Sequence, residues 1–375
     1  MMRAIIVAIC ILALTACWDK VELENRAFVS AVGVDSYKHK PENAIRFDST
    51  DSPSRFVATA SIPSLVGKGE GSTTLTSVAD AFLPALWMIR LGTSQEPYYG
   101  QTKAMVLGEG LLKDAALFAQ AIDAMERNRE ISRKVVMLAC KGDAQQVLKA
   151  DTNEDQLGMH IANFYTDKRV SVGIAFKKDL DSVLRDLRRM NGTVIPRVAV
   201  NGGVVELSGA ALVSEYQLVG WLGDTEVRGL LLAKGMGKNA HMTVDFGKTR
   251  VPLRLASQRA RLKFKEGEQG LVCELRISAK GSIEEYVANS DTDISSPESL
   301  ATLNILFAEA IEAEVMAAHT RLQESGVDAL SLTDHLRKFN YSLYEEYVIR
   351  RGLTFADITL LPVIDVHVTD VGSTR

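Results

Sequence analysis

The sequence is short of the residue types that build stacking or reactive sites. Aromatic residues are 6% of its 375 residues, which argues against a platform for stacking sugars or bases. The six His are scattered, and none has a second His or Cys three or four positions on, so metal-site spacing is missing. Four Cys give neither a disulfide framework nor a zinc pattern. Basic residues are not in excess: 43 Lys and Arg against 47 Asp and Glu leave a net charge of −4. A mildly acidic chain has no electrostatic reason to bind nucleic acid or an anionic lipid surface. The segments Gly67–Gly71 and Gly237–Asn239 lack P-loop spacing. No nucleophile-elbow sequence occurs, and the pairs Glu284-Glu285 and Glu345-Glu346 are adjacent, so their carboxylates diverge. No catalytic site, cofactor or metal is expected.

What is present begins at the first residue. Met1-Met2-Arg3 is a short positive start, and Ala4 to Leu14 is an unbroken apolar run of eleven residues. Such a helix rises about 16 Å, against roughly 30 Å of membrane hydrocarbon, and Asp19 and Lys20 stop it. The layout is that of a secretory signal peptide over residues 1–16. Leu14-Thr15-Ala16-Cys17 is more specific: an apolar residue, two small ones, then Cys, the bacterial lipobox pattern. It makes Cys17 the expected first mature residue and the carrier of a diacylglyceryl group. Two acyl chains matter because a single one binds a bilayer only marginally. Removing residues 1–16, whose one charge is Arg3, takes the net charge from −4 to −5. Only Cys140 and Cys273 then remain, each in an apolar strand-like run. They read as two buried thiols, with a disulfide between them as the alternative.

Three dissimilar domains, each of sheet plus helices, are expected: 17–200, 201–250 and 251–375, giving a mixed α/β (α+β) fold. In the first, polar loops at 36–55 and 63–74 flank a strand at Phe56–Ile62. Ser77 and Asp80 suggest a helix start, with Val78, Phe82, Leu86 and Ile89 at helical spacing and a kink at Pro84. A strand at Ala104–Leu107, a helix marked by Leu111, Ala115, Phe118, Ile122 and Met125, and a strand at Lys134–Cys140 follow. Arg185, Arg188 and Arg189 with Lys177 and Lys178 form a basic cluster: a solvated face, or a contact to an acidic partner or lipid headgroup. The middle unit has strands at Val204–Leu207 and Ala210–Val213, then a short helix near Asp224–Ala233. In the third, Leu271, Cys273, Leu275, Ile277 and Ala279 alternate with polar residues as in a half-buried strand. The alternation of Val251, Leu253 and Leu255 resumes out of phase at Ala260, predicting a bulge near Ser257-Gln258, and Glu266–Gly270 makes a hairpin loop. A long helix starts near Pro297, carries Leu303, Phe307, Ile311, Val315, Ala318 and Leu322, and stops at Gly326. The simplest solution is this helix packed on an antiparallel sheet that includes the alternating tail, Leu360 to Val368.

The residues after Cys17 carry a resemblance. Cys17-Trp18-Asp19-Lys20-Val21-Glu22-Leu23, then Ala27-Phe28-Val29 and Gly33-Val34-Asp35, are similar to the mature start of the Ger(x)C spore germination lipoproteins. Gly69-Glu70-Gly71, Leu218-Val219-Gly220-Trp221-Leu222 with Glu226, Arg228 and Gly229, and the closing strand from Val366 resemble other parts of the same family. Gly100–Lys103 stands where the family often has a His, and Tyr344 and Tyr347 where it tends to have a Trp. The resemblance implies a non-enzymatic C subunit of a nutrient germinant receptor, anchored in the spore inner membrane on its extracytoplasmic side. It implies two integral-membrane partners, the A and B subunits, and names no small-molecule ligand. Candidate contact residues are Trp18, Asp19, Glu22 and Leu23, beside the membrane, and Trp221, with an interfacial anchor or core packing as the plainer roles. A membrane-anchored solute-binding lipoprotein is the alternative; it needs two similar lobes, and no repeat is visible.

Overall fold

The computed structural model describes residues 22–38, 41, 43–46, 53–63, 72–150, 157–166, 173–268, 270–284 and 294–371. The expected leader, Cys17, Trp18, Asp19, the Gly67–Gly71 stretch and much of the polar loop before Phe56 lie outside these residues.

Fourteen strands are described: β1 Arg26–Phe28, β2 Ala31–Ser36, β3 Phe56–Pro63, β4 Ser72–Ala79, β5 Glu96–Tyr98, β6 Ala104–Gly108, β7 Val136–Cys140, β8 Gly192–Asn201, β9 Val204–Ser214, β10 Gln217–Leu222, β11 His241–Phe246, β12 Thr249–Gly267, β13 Gly270–Ile283 and β14 Thr359–Val371. Eight of them form one sheet in the order β10-β9-β8-β7-β6-β2-β3-β4. Its centre, β8-β7-β6-β2, is parallel, and an antiparallel hairpin closes each side. A parallel strand with helices over both faces is apolar on both. That is why Ala104–Gly108 and Val136–Cys140 are buried at every position and do not alternate.

One face of this sheet packs on the helices Phe82–Met88, Ala115–Arg127 and Leu180–Met190, through Phe82, Leu86, Phe118, Ile122, Val183 and Leu187. Behind β2, β6 and β7, the opposite face is covered by Ala144, Val147, Leu148, Leu157 and Ile161 of two further helices. At the β8–β10 end, that same face belongs to the core of the C-terminal sheet.

The C-terminal sheet has the order β11-β12-β13-β14. It is antiparallel from β11 to β13, and β14 lies parallel to β13. The parallel pair follows from the connection: the helix Pro297–Ser325 carries the chain back before the last strand is laid down. All six expected stripe residues of that helix are buried against the sheet, joined by His319. Ser296 accepts the Ser299 N–H at its start, and Gly326, in the left-handed region, ends it. The β12 bulge falls between Leu255 and Ser257. Gln258 locks it, accepting the Gly237 N–H at 2.8 Å and donating to the Leu232 carbonyl.

Several expectations change. Ser77 lies within β4 and starts no helix. The helix begins at Phe82, which places Pro84 in its first turn, where a missing N–H does no harm and no kink results. Val204–Leu207 and Ala210–Val213 are one strand, bent at Gly209, which has a positive φ. Residues 201–250 form no sheet of their own: β9 and β10 complete the first sheet, while the helix Asp224–Ala233 and β11 join the second core. Cys140 and Cys273 are both buried and free.

Candidate membrane-proximal end and inter-unit joint

The described chain emerges at Glu22 and Leu23, both exposed, and makes a single turn at Leu23–Asn25 before β1. β1 pairs in parallel with β5, setting Arg26 opposite Glu96 and Phe28 opposite Tyr98. The Arg26 guanidinium sits 4.6 Å over the Tyr98 ring. Gln95 donates to the Glu24 carbonyl at 2.8 Å. The start of the described chain is therefore fixed beside the segment that follows the helix Phe82–Met88.

The Gly33-Val34-Asp35 motif has a structural role. Gly33 faces the start of the helix Ala144–Lys149 so closely that a Cβ there would lie 3.2 Å from that of Ala144. Two residues on, Asp35 reaches the same helix end: its carboxylate accepts the Ala144 N–H at 2.7 Å and the Gln145 N–H at 2.9 Å. Gly108 leaves the room, since a Cβ there would overlap Asp35 Oδ1. Burial pushes the Asp35 carboxyl up to about 7, against the two backbone hydrogen bonds that favour its charged form. Asp143, directly ahead of the helix, makes no side-chain cap.

The Gly220-to-Gly229 signature also builds structure. Trp221 is half-buried on β10, packed against the first core, with Lys141 Nζ 5.7 Å from its ring centre. Leu222, one residue on, points into the other core. Glu226 turns back to accept the Gly223 N–H at 2.6 Å, capping the helix that follows. Arg228 makes a two-pronged ion pair with Glu314 of the long helix, Nε to Oε2 at 2.7 Å. Gly229 lets the two helices touch, because a Cβ there would overlap the Glu314 carbonyl. The motif is thus the joint at which the first sheet passes into the C-terminal unit.

The basic cluster is largely neutralised within the chain. Lys178 pairs with Asp186, Arg185 with Asp181 at 3.4 Å, Arg188 with Glu126, and Arg189 with Asp334 at 3.8 Å. Among the described residues there is no group of three His, Cys, Asp or Glu that could hold a metal, and no helix is long and apolar enough to cross a membrane. Sequence reasoning passed over Trp87 and Leu91, two large exposed apolar residues. The signal was there: both fall off the Phe82, Leu86, Ile89 stripe that faces the core.

The comparisons place this geometry. A family model described as the spore germination protein N-terminal domain matches residues 19–200. A second, described as spore germination B3/GerAC-like, C-terminal, matches residues 208–372. Together they span most of the chain, which belongs to the Ger(x)C family of spore germination proteins. Among its relatives, spore germination protein KC of Bacillus subtilis (strain 168) is 22% identical over 364 residues, 90% of this chain and 87% of that one. Spore germination protein B3 of the same organism is 25% identical over 350 residues, 87% of this chain and 86% of that one. The crystal structure of the GerBC protein shares the fold, with a TM-score of 0.59 at 17% identity, covering 84% of this chain and 93% of that one.

Proposed function

We propose that the chain is the lipid-anchored C subunit of a spore nutrient germinant receptor. In this reading it is held on the extracytoplasmic side of the inner membrane by Cys17, and it acts without catalysis, through contacts with the integral-membrane A and B subunits. One observation carries the anchor: the Leu14-Thr15-Ala16-Cys17 pattern ends two residues before the family match begins at residue 19. The expected signal segment thus ends just ahead of the family body, an arrangement that supports a lipidated terminus at Cys17. The joint supports the non-catalytic reading, since the signature residues Glu226, Arg228 and Gly229 are all engaged in capping, pairing and close packing. The two sheets differ in strand order and in size, which disfavours a two-lobed solute-binding protein.

Cys17→Ala in the native host tests this. The expected outcome is release of the protein from the membrane fraction and impaired nutrient-triggered germination. A soluble protein with normal germination, or a mature terminus that mass spectrometry finds unmodified, would sink the proposal.

A further inference from the structure

Three large apolar side chains stand out into solvent at one end of the first unit: Leu23 at 71% exposure, Trp87 at 63% and Leu91 at 66%. Trp87 lies in the α-helix Phe82–Met88 and Leu91 in the 3-10 turn Ile89–Gly92 that continues it, and both stand off the buried stripe of Phe82, Leu86 and Ile89. The chain just after Leu23 is tied to the segment that follows Leu91: Glu24 takes a hydrogen bond from Gln95, and β1 pairs with β5. A groove of about 450 Å³ beside Trp87 is lined by Arg90, Pro97 and Tyr99 and by two carboxylates, Glu96 and Glu130. An exposed Trp and exposed leucines close to an arginine are side chains that suit a bilayer interface.

The tether decides what covers this patch. The span from Cys17 to Leu23 is six residues, at most about 20 Å even if fully extended. An acylated Cys17 therefore keeps the patch within a short reach of the lipid headgroups. The chain's net charge gives no long-range attraction to lipid, so proximity has to come from the anchor and orientation from the apolar side chains.

We propose that Trp87 and Leu91, together with Leu23, seat in the headgroup–acyl boundary of the bilayer and fix which way the anchored body faces. The proposal rests on the lipid-anchor reading above. To test it, the mature lipidated chain is purified from membranes and reconstituted in phosphatidylcholine–phosphatidylglycerol vesicles with and without acyl-brominated phosphatidylcholine. The chain has three Trp, so Trp18→Phe with Trp221→Phe leaves Trp87 alone, and Trp18→Phe with Trp87→Phe leaves Trp221 as control. The expected result is a blue-shifted Trp87 emission that bromine quenches at least about twofold, and a Trp221 emission that bromine leaves nearly unchanged. Adding Leu91→Asp to the Trp87-only chain should remove most of the quenching while flotation with the vesicles persists. Flotation without Trp87 quenching overturns the seating proposal and leaves the anchor standing. Failure of the intact chain to float overturns both. Protection of Trp87 that needs co-reconstituted membrane subunits marks a protein contact instead, and the lipid assignment falls.

Discussion

Both sheets are backed by capped helices, and one cap in the first sheet differs from those of the C-terminal unit in how far away in the chain its partner lies. In the C-terminal unit the helix ends are capped locally. Ser296 serves Ser299, and Asp328 accepts the Leu332 and Thr333 N–H groups at 2.8 and 2.9 Å. The first sheet has local caps as well, Asp114 on the Leu117 N–H and Asp179 on the Ser182 N–H, but its helix at Ala144 is capped by Asp35, 109 residues earlier. Asp35 and Asp328 do the same job, a buried carboxylate on two backbone donors, one from across the sheet and the other from the adjacent turn. Local capping lets a unit form from its own sequence; the long-range cap ties β2 to the segment after β7 and makes the first unit close as a whole.

The contrast would break most visibly in the C-terminal core. Phe307→Ala empties a fully buried ring position and should cost about 3–5 kcal/mol, read by urea unfolding in the Cys17→Ala background. Because Val194, Ala210, Leu212 and Leu222 of the first sheet share that core, the loss should appear in a single transition. Two separated transitions would show that the units stand apart. Gly229→Ala acts at the joint itself and should cost about 1–3 kcal/mol. If its midpoint equals that of the parent chain, the close helix contact at Glu314 contributes nothing.

A subtler comparison is in pH. Asp35 sits at about 7 when folded, from an ordinary 3.8, so the folded chain holds a proton that the unfolded chain releases, and its contribution to stability falls as pH rises through that window. Burial against Phe355 pushes His319 down to about 4 from 6.5; the unfolded chain takes up a proton there that the folded chain refuses, and stability falls as pH falls. Between about pH 4 and 6.5 the two slopes oppose each other. Asp35→Asn should make the chain lose stability more steeply on acidification, and His319→Gln should make it lose stability as pH rises. Each change in slope is on the order of 1 kcal/mol per pH unit. Parallel responses of the two variants in pH-dependent unfolding would remove the contrast. The smallest effect is expected at Ser296→Ala, about 1 kcal/mol for a lost cap; an unchanged midpoint would mean that Pro297 alone sets the helix start.

The same difference explains what could be read in advance. The long helix, its stop at Gly326, the β12 bulge and the alternation in β13 all rest on neighbouring residues, and each was legible. In the first unit, β6 and β7 were recognised as apolar runs, yet their order beside β2 depends on pairings that no local pattern encodes. Ser77 and Asp80 resemble a helix start, but Ser77 is taken up by pairing with Ala58 of β3. The parallel β14 was hidden because an alternating tail looks the same whichever way it runs. Of the candidate contact residues, Glu22 and Leu23 are exposed and Trp221 is half-buried on β10. The exposure of Trp87 and Leu91 was overlooked because the apolar spacing of their segment marks only its buried stripe.

The position of β2 has a mechanical consequence. A pull on the chain at Glu22 reaches first the three-residue pair of β1 and β5, which can peel apart like a zip. It then meets β2, hydrogen-bonded on both edges, to β3 on one side and β6 on the other. To yield there, the chain must shear two ladders at once. Strain arriving through a tether would spend itself on a weak short clasp and leave the sheet intact.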